Sequence, residues 1–538
     1  MSASETPPPP DPKFQQSKYY KEVKLQLQHS FGLEDFRPNQ LEAITAAMEG
    51  RDVFVLMPTG GGKSLCYQLP AVCQSGSTRG VTVVVSPLLA LMKDQVESLR
   101  QKNIDTFLWN GDTLYEDAQN RMYNDPPPKL MYVTPEKLKE SGVVNKYLST
   151  LYNQKQLARF VIDEAHCIST WGQDFREAYQ GLGSLRDSYP NTPMMALTAT
   201  ANQTTSDDII HKLKMRNTAV FQQSFNRLNL TYYIKEKKKN SVVSDIAAYI
   251  KAKHYGKTGV IYCLGRDKCE FVADKLRQEG LKATHFHAKM LSDEKDEAMA
   301  AWMAGTCHIV VATIAFGMGI DKADVRFVIH HDMPKSIDGY YQETGRAGRD
   351  GLPADCVLYY NFADFKSIQR MIEAVEPGKP RPLKDVTDRQ IGAARKVVEY
   401  CSNTVTCRRV LLLHYFGEVF ESKNCKRHCD NCMNDIECLS QNVTDEAKCA
   451  AELVKSFRDA DEMVTVAQSR EILRGAKTQD IQRKKHDRFP MYGKAAGLPP
   501  ELLEQMLMRL LFMEVLVEVS MPTSSGFHAS YVAVSSIS

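Results

Sequence analysis

The chain has 538 residues, 43% hydrophobic and 25% charged, a balance that excludes a mainly disordered protein and, at about 100–200 residues per domain, implies three or four domains. No apolar run approaches the ~18–20 residues that cross a bilayer, and the N-terminus MSASETPPPPDPKFQQ lacks a basic-then-apolar secretion pattern. Formal net charge is +3 from 68 basic and 65 acidic residues, too balanced to diagnose a nucleic-acid binder, so any basic face must be local.

Residues 1–16, rich in Pro and polar residues, read as a flexible tail. From about Lys18, short β-branched runs alternate with amphipathic stretches. VFVLM (53–57), VTVVVS (81–86), LMYVT (130–134), RFVID (159–163) and MMALT (194–198) have strand length without polar alternation, as parallel strands covered on both faces do. A second series follows: VIYC (260–263), HIVVAT (308–313), RFVIH (326–330) and CVLYY (356–360). The charge run KEKKKN (235–240) between them reads as a linker. The pattern predicts two open α/β lobes, at 17–234 and 241–365. Beyond 365 the strands stop. Helices are predicted over 386–400 and 407–416 in a module ending near 440. Over 441–538 come helices at 444–457, 464–474 and 500–511, then a hairpin pairing 515–520 with 530–534 around a turn containing Pro522 and Gly526, an order that suits a winged helix.

Residues 53–66, VFVLMPTGGGKSLC, read as a buried strand, a glycine-rich loop and a helix start. Thr59, Gly60, Gly61 and Gly62 let backbone N–H groups curl around phosphate oxygens. Lys63 would reach the β- and γ-phosphates of ATP, and the Ser64 hydroxyl would ligate Mg2+. The strict pattern wants Gly where this chain has Met57. About a hundred residues on, FVIDEAHC (160–167) ends a buried strand in two acids, a costly arrangement unless a cation neutralises it. Asp163 would hold Mg2+, and Glu164 would orient or deprotonate the attacking water. In the second lobe, YYQETGRAGRDG (340–351) carries Gln342 and two arginines three apart; Arg349 is expected to meet the γ-phosphate as a finger in cis, with Arg346 beside it.

Ten of the fourteen cysteines are scattered singly. The other four follow the spacing Cys407-x17-Cys425-x3-Cys429-x2-Cys432, and with no secretion signal such clustering points to metal more than to disulfides. Four thiolates suit one closed, tetrahedral, structural Zn2+ site with Zn–S near ~2.3 Å; His414 and His428 are rival ligands.

DEAH (163–166), TAT (198–200) and QETGRAGRDG (342–351) resemble the superfamily 2 helicases. FGLEDFRPNQ (31–40), MPTGGGKSLCYQLP (57–70), CISTWGQDFREAY (167–179) and ATIAFGMGIDK (312–322) resemble the RecQ family, nearest its eukaryotic Bloom-type branch. The likeness is specific from Phe31 to Cys432 and looser over 443–538. It implies two RecA-like parallel-sheet lobes, a helical four-cysteine zinc module at 366–440 and a winged-helix domain. It further implies a nuclear, DNA-dependent ATPase of replication, recombination and repair that unwinds single-strand-tailed or branched DNA with 3′→5′ polarity. Recombination and repair proteins would be partners through regions outside this sequence. On that reading Arg37 and Gln40 read the adenine edge, Thr198 and Thr200 couple hydrolysis to lobe closure, and Thr313 and Lys335 grip the strand backbone.

STWGQDFR (169–176) would be an aromatic-rich loop sensing single-stranded DNA. Trp171, Phe175 and Arg176 can stack on bases, each base worth about 1–3 kcal/mol, or the two aromatics can simply fill a core. The family usually has His where this chain has Gln173, which cannot become cationic. Around RKKHDRFPMYGK (483–494), Lys484, Lys485 and Tyr492 fit either phosphate contacts or a solvated loop. The hairpin tip, with Phe527 and His528, fits a strand-separating wedge or an ordinary turn. The alternative function is a DNA-stimulated ATPase, translocase or annealing scaffold without processive unwinding.

Overall fold

In the computed structural model, residues 12–169, 177–238, 240–317, 322–374, 383–434, 441–513, 515–522 and 528–535 are described. They fall into two compact units. One runs to Cys401 and takes in Thr406–Asn434; the other holds Ser402–Val405 and the described residues from 441 onward.

The first unit contains two parallel sheets. Strands β1 (Val53–Leu56), β2 (Val81–Val85), β3 (Thr106–Trp109), β4 (Leu130–Val133), β5 (Leu157–Ile162), β6 (Met194–Thr198) and β7 (Ala219–Gln222) are ordered β3-β4-β2-β5-β6-β1-β7. The five strands expected from apolar runs form its centre, and every residue of β1, β2, β4, β5 and β6 is buried, because helices cover both faces. The edge strands β3 and β7 carry partly exposed positions, which is why no unbroken apolar run marked them.

The second sheet is built from β8 (Leu230–Glu236), β9 (Gly259–Tyr262), β10 (Ala283–Phe286), β11 (Ile309–Ala312), β12 (Phe327–His330) and β13 (Ala354–Tyr360), ordered β10-β11-β9-β12-β13-β8. Here the structure corrects the sequence reading. Lys235 and Glu236, expected to open a linker, pair with Tyr359 and Tyr360, so the boundary at 234 falls inside a strand of lobe two. Lys237 is buried, its ammonium 2.6 Å from Asp332 and 2.8 Å from Asp364. A lysine buried between two carboxylates is paired charge in a core, and the charge run concealed that. Likewise, Pro12–Gln15 within the expected tail forms one helical turn.

A long helix, Lys384–Ser402, leads to the cysteine-bearing segment, whose helix Arg408–Tyr415 opens at Cys407. The second unit packs helices Thr444–Asp459, Val466–Leu473, Gln479–Lys484 and Pro500–Phe512 with the antiparallel pair β14 (Leu516–Pro522) and β15 (His528–Val534). This is the expected winged helix with one further short helix. Pro522 ends a strand rather than sitting in the turn, and the rest of the tip lies outside the described residues. Its core is its own: Leu453, Phe457, Ile472, Leu503, Leu507 and Val532 pack together. No described helix is long and apolar enough to cross a membrane.

Candidate nucleotide site and zinc centre

β1 ends at Leu56, and the chain turns through residues 57–64 into the helix Leu65–Val72. The turn needs glycine. Gly60 and Gly62 have φ of +80° and +84°, and a Cβ on Gly62 would stand 2.3 Å from Gln40 Nε2. Arg37 donates to the Gly60 carbonyl, Gln40 Nε2 donates to the Gly62 carbonyl at 2.9 Å, and the Arg37 backbone N–H donates to Gln40 Oε1 at 2.7 Å. The two residues expected to read adenine therefore also brace the phosphate loop. Ser64 Oγ accepts from Gln95 Nε2 at 3.3 Å.

Lys63 donates to the Met57 carbonyl at 3.1 Å. Burial lowers its pKa; the charges of Glu164 and Asp163 oppose that, and the charge of Arg349 reinforces it. Charges from both lobes thus act on Lys63. Asp163, at the end of β5, is pushed up to about 7, by burial first and by the neighbouring Glu164 second, with Lys63 pulling the other way. Glu164 occupies the left-handed region at φ 48°, a strain that a non-glycine residue adopts where surrounding structure enforces it. Its buried Oε2 makes no hydrogen bond and lies 3.3 Å from His166 Nδ1. That ring nitrogen is also 2.9 Å from Thr198 Oγ1, linking the acidic pair to the TAT segment.

From lobe two, the helix Ile337–Thr344 carries Gln342 and delivers the arginine loop. Arg349 is brought against the phosphate loop: a Cβ on Gly60 would lie 3.7 Å from its Cγ. Arg346 is buried and donates to the Gly317 carbonyl within its own lobe. The two arginines have different surroundings, which their even spacing did not reveal. Thr313 follows β11, its N–H donating to Phe286 at 3.3 Å, and Lys335 lies partly buried before Ser336, the cap of that helix.

Sequence reasoning missed Arg227. Its guanidinium donates to four carbonyls, Thr59 (3.4 Å) and Gly345 (3.2 Å) from one nitrogen, Ala347 (2.9 Å) and Gly348 (2.8 Å) from the other. It therefore fastens the phosphate loop of one lobe to the arginine loop of the other. The segment holding it is itself gripped: Arg409 donates to Asn226 Oδ1 at 2.5 Å and to the Arg227 carbonyl at 2.9 Å, and Phe416 stacks on Phe225 at 4.4 Å. A lone arginine in a loop has no periodicity to announce it.

The Sγ atoms of Cys407, Cys425, Cys429 and Cys432 lie within 4.8 Å of one another. Cys429 Sγ lies 3.9 Å from Cys407 Sγ and accepts from the Cys432 N–H at 3.4 Å. This all-sulfur donor set fits Zn2+. Neither rival joins it: His414 is exposed, and His428 Nδ1 sits 3.1 Å from the Leu228 carbonyl. Asp430, beside the cluster, accepts from Arg408 Nε and from the Ile234 N–H, both at 2.8 Å, which ties the centre to β8.

Trp171, Gln173, Phe175, Arg176 and Phe527 lie outside the described residues, as does the side chain of His528. Lys484 pairs with Asp480 at 3.1 Å, and Lys485 follows it with φ 57°. The Tyr492 hydroxyl, read as facing a phosphate or lying in a solvated loop, shares its proton between the carbonyls of Gly475 (3.0 Å) and Ala476 (3.2 Å), and Phe489 is buried against Phe457 at 4.1 Å.

Four family patterns match the chain in succession: DEAD/DEAH box helicase (37–209), helicase conserved C-terminal domain (237–351), RecQ zinc-binding (362–433) and RQC domain (439–536). ATP-dependent DNA helicase Q1 of Rattus norvegicus is 37% identical over 92% of this chain and 77% of its own length. The chain belongs to the RecQ family of DNA helicases. Other relatives include ATP-dependent DNA helicase hus2/rqh1 of Schizosaccharomyces pombe, 45% identical, and RecQ-like DNA helicase BLM of Xenopus laevis, 40% identical. Each matches 95% of this chain, which spans 38% of each relative's length. Both support the Bloom-type branch. Among solved structures, the Mycobacterium smegmatis helicase Lhr bound to ssDNA and AMP-PNP shares the fold at TM-score 0.51 and 17% identity, over 98% of this chain and 61% of that one.

Proposed function

We propose that this chain is an ATP-driven motor that moves 3′→5′ along single-stranded DNA and separates tailed or branched duplexes in nuclear replication, recombination and repair. The observation that carries this reading is the composite site: Lys63 of lobe one feels the charges of Asp163 and Glu164 beside it and of Arg349 from lobe two, whose Cγ lies against Gly60 of the phosphate loop. Catalysis of phosphoryl transfer is mostly positioning and charge stabilisation, so a site completed only when two lobes meet converts each hydrolysis event into a relative lobe movement.

Lys63 and the backbone N–H groups of 60–64 hold the triphosphate, and Ser64 and Asp163 hold Mg2+, which neutralises charge on the phosphates. Glu164, with its unbonded Oε2, orients the attacking water and takes its proton. Arg349 stabilises charge on the transferring group, an interaction worth about 10³–10⁵ in rate where such fingers act. His166 and Thr198 pass the state of the site to the segment that follows β6.

ATP hydrolysis with no nucleic acid, single-stranded DNA or single-stranded RNA, beside strand separation on a 3′-tailed duplex, tests the reading. DNA-selective stimulation together with unwinding is expected. Equal stimulation by RNA would overturn the substrate assignment, and the absence of any stimulation would overturn the motor.

A further inference from the structure

β10 is an outer strand of the second sheet, and the chain continues from it through His287. Side chains two apart on an extended chain share a face, so His285 and His287 project together. Their rings lie nearly parallel, 18° apart with centroids at 5.5 Å. The helix Arg266–Gln278 packs beside them and places Glu270 opposite, with its Oε1 2.8 Å from His287 Nε2. One ligating atom from each of the three residues falls within a 4.8 Å cluster.

A hydrogen-bonded His–Glu pair would account for one ring nitrogen only. The Nδ1 atoms of both His285 and His287 are buried and have no hydrogen-bond partner. Two stacked imidazoles with unused nitrogens beside a half-exposed carboxylate form a donor set without its acceptor. A second His/acid cluster in the same lobe shows the contrast. Cys263, His331 and Asp332 are equally close, but Asp332 is already neutralised by Lys237 and Lys268 at 2.6 and 2.8 Å. No lysine or arginine pairs with Glu270 among the described residues.

We propose that Glu270, His285 and His287 form a second metal site, separate from the four cysteines, that takes a borderline divalent transition-metal ion such as Zn2+ or Ni2+. Two neutral imidazoles and one carboxylate select such ions over Mg2+ or Ca2+, which prefer all-oxygen shells. Ligating atoms within 4.8 Å of one another are close to the spacing set by an ion ~2.0–2.2 Å from each. An ion here staples the helix Arg266–Gln278 to the end of β10, where Phe286, between the two histidines, accepts from the Thr313 N–H at 3.3 Å. Metal would thus stiffen the strand end beside Thr313.

Untagged protein retaining its cysteine-bound zinc would be titrated with Ni2+ by calorimetry and thermal unfolding, alongside His285→Ala and Glu270→Gln. The expected result is one Ni2+ per chain with a rise in melting temperature. Both substitutions should weaken binding at least roughly tenfold, since even outer-shell changes at metal sites cost 10–100-fold. Bound zinc should stay constant, which separates this site from the cysteines. Cu2+ spin resonance should show coupling to two imidazole nitrogens in the wild type and to one in His285→Ala. No Ni2+ binding, or binding indifferent to both substitutions, would overturn the proposal.

Discussion

Lys63 and Asp163 are the residues whose titration and charge the site depends on most. Replacing Lys63 by Ala removes the ammonium that two acids favour against the cost of its burial at the phosphate loop; ATP turnover should fall at least ~10²-fold, the scale for losing one charge-stabilising donor, while single-strand affinity measured by anisotropy stays within about twofold. Asp163 supplies a pH signature. Its carboxyl is raised to about 7, so a Mg2+ ion held there would compete with a proton near neutrality. The sign follows: Mg2+-nucleotide affinity should rise as pH increases from 6 through about 7 and level off above 8. Calorimetry in buffers of different ionisation enthalpy should detect proton release below the plateau. Asp163→Asn should bind weakly with a flat profile.

At the level of elements, the segment 223–229 between the two sheets does more than connect them. Arg227 holds the carbonyls of both the phosphate loop and the arginine loop, and the zinc-bearing segment grips its flanks through Arg409, Phe416 and Glu418. Arg227→Ala should reduce kcat for ATP by roughly 10²-fold, because a displacement of about 1 Å at a reacting group has that effect, with a smaller change in KM. Arg227→Lys should not restore it, since a point ammonium cannot fork across four carbonyls. Steady-state kinetics at saturating DNA decides both. The sequence announced the central strands, the phosphate loop, the DEAH box and the four cysteines, because each is either a fully buried apolar run or a fixed spacing of chemically distinctive residues. It concealed β3, β7, β8 and β10, whose mixed exposure breaks the apolar run, and it turned the end of β8 into a linker because Lys235–Lys238 look solvated when read alone. Arg227 stayed silent for a related reason: its partners are backbone carbonyls up to 168 residues away in sequence, which no local pattern encodes.

For the whole molecule, the division into two units with separate cores carries a testable separation of tasks. The second unit rests on Phe457, 1% exposed and stacked on Phe489 at 4.1 Å, within a core whose members all come from 443–534. Truncating a buried Phe to Ala costs about 3–5 kcal/mol, and each kcal/mol lowers the melting temperature of a ~100-residue domain by roughly 4–8 °C. Phe457→Ala should therefore lower or abolish one calorimetric transition and leave the other, that of the two-lobed unit, within about 2 °C. The functional consequence follows from where the chemistry lies. Every group assigned to ATP, from Arg37 to Arg349, belongs to the first unit, so DNA-stimulated hydrolysis should persist within about threefold. Separation of a 3′-tailed duplex should drop sharply, the outcome expected of a winged helix that takes part in parting the strands. Persistence of both activities would place strand separation wholly in the lobes, and loss of both would make the winged helix part of the motor.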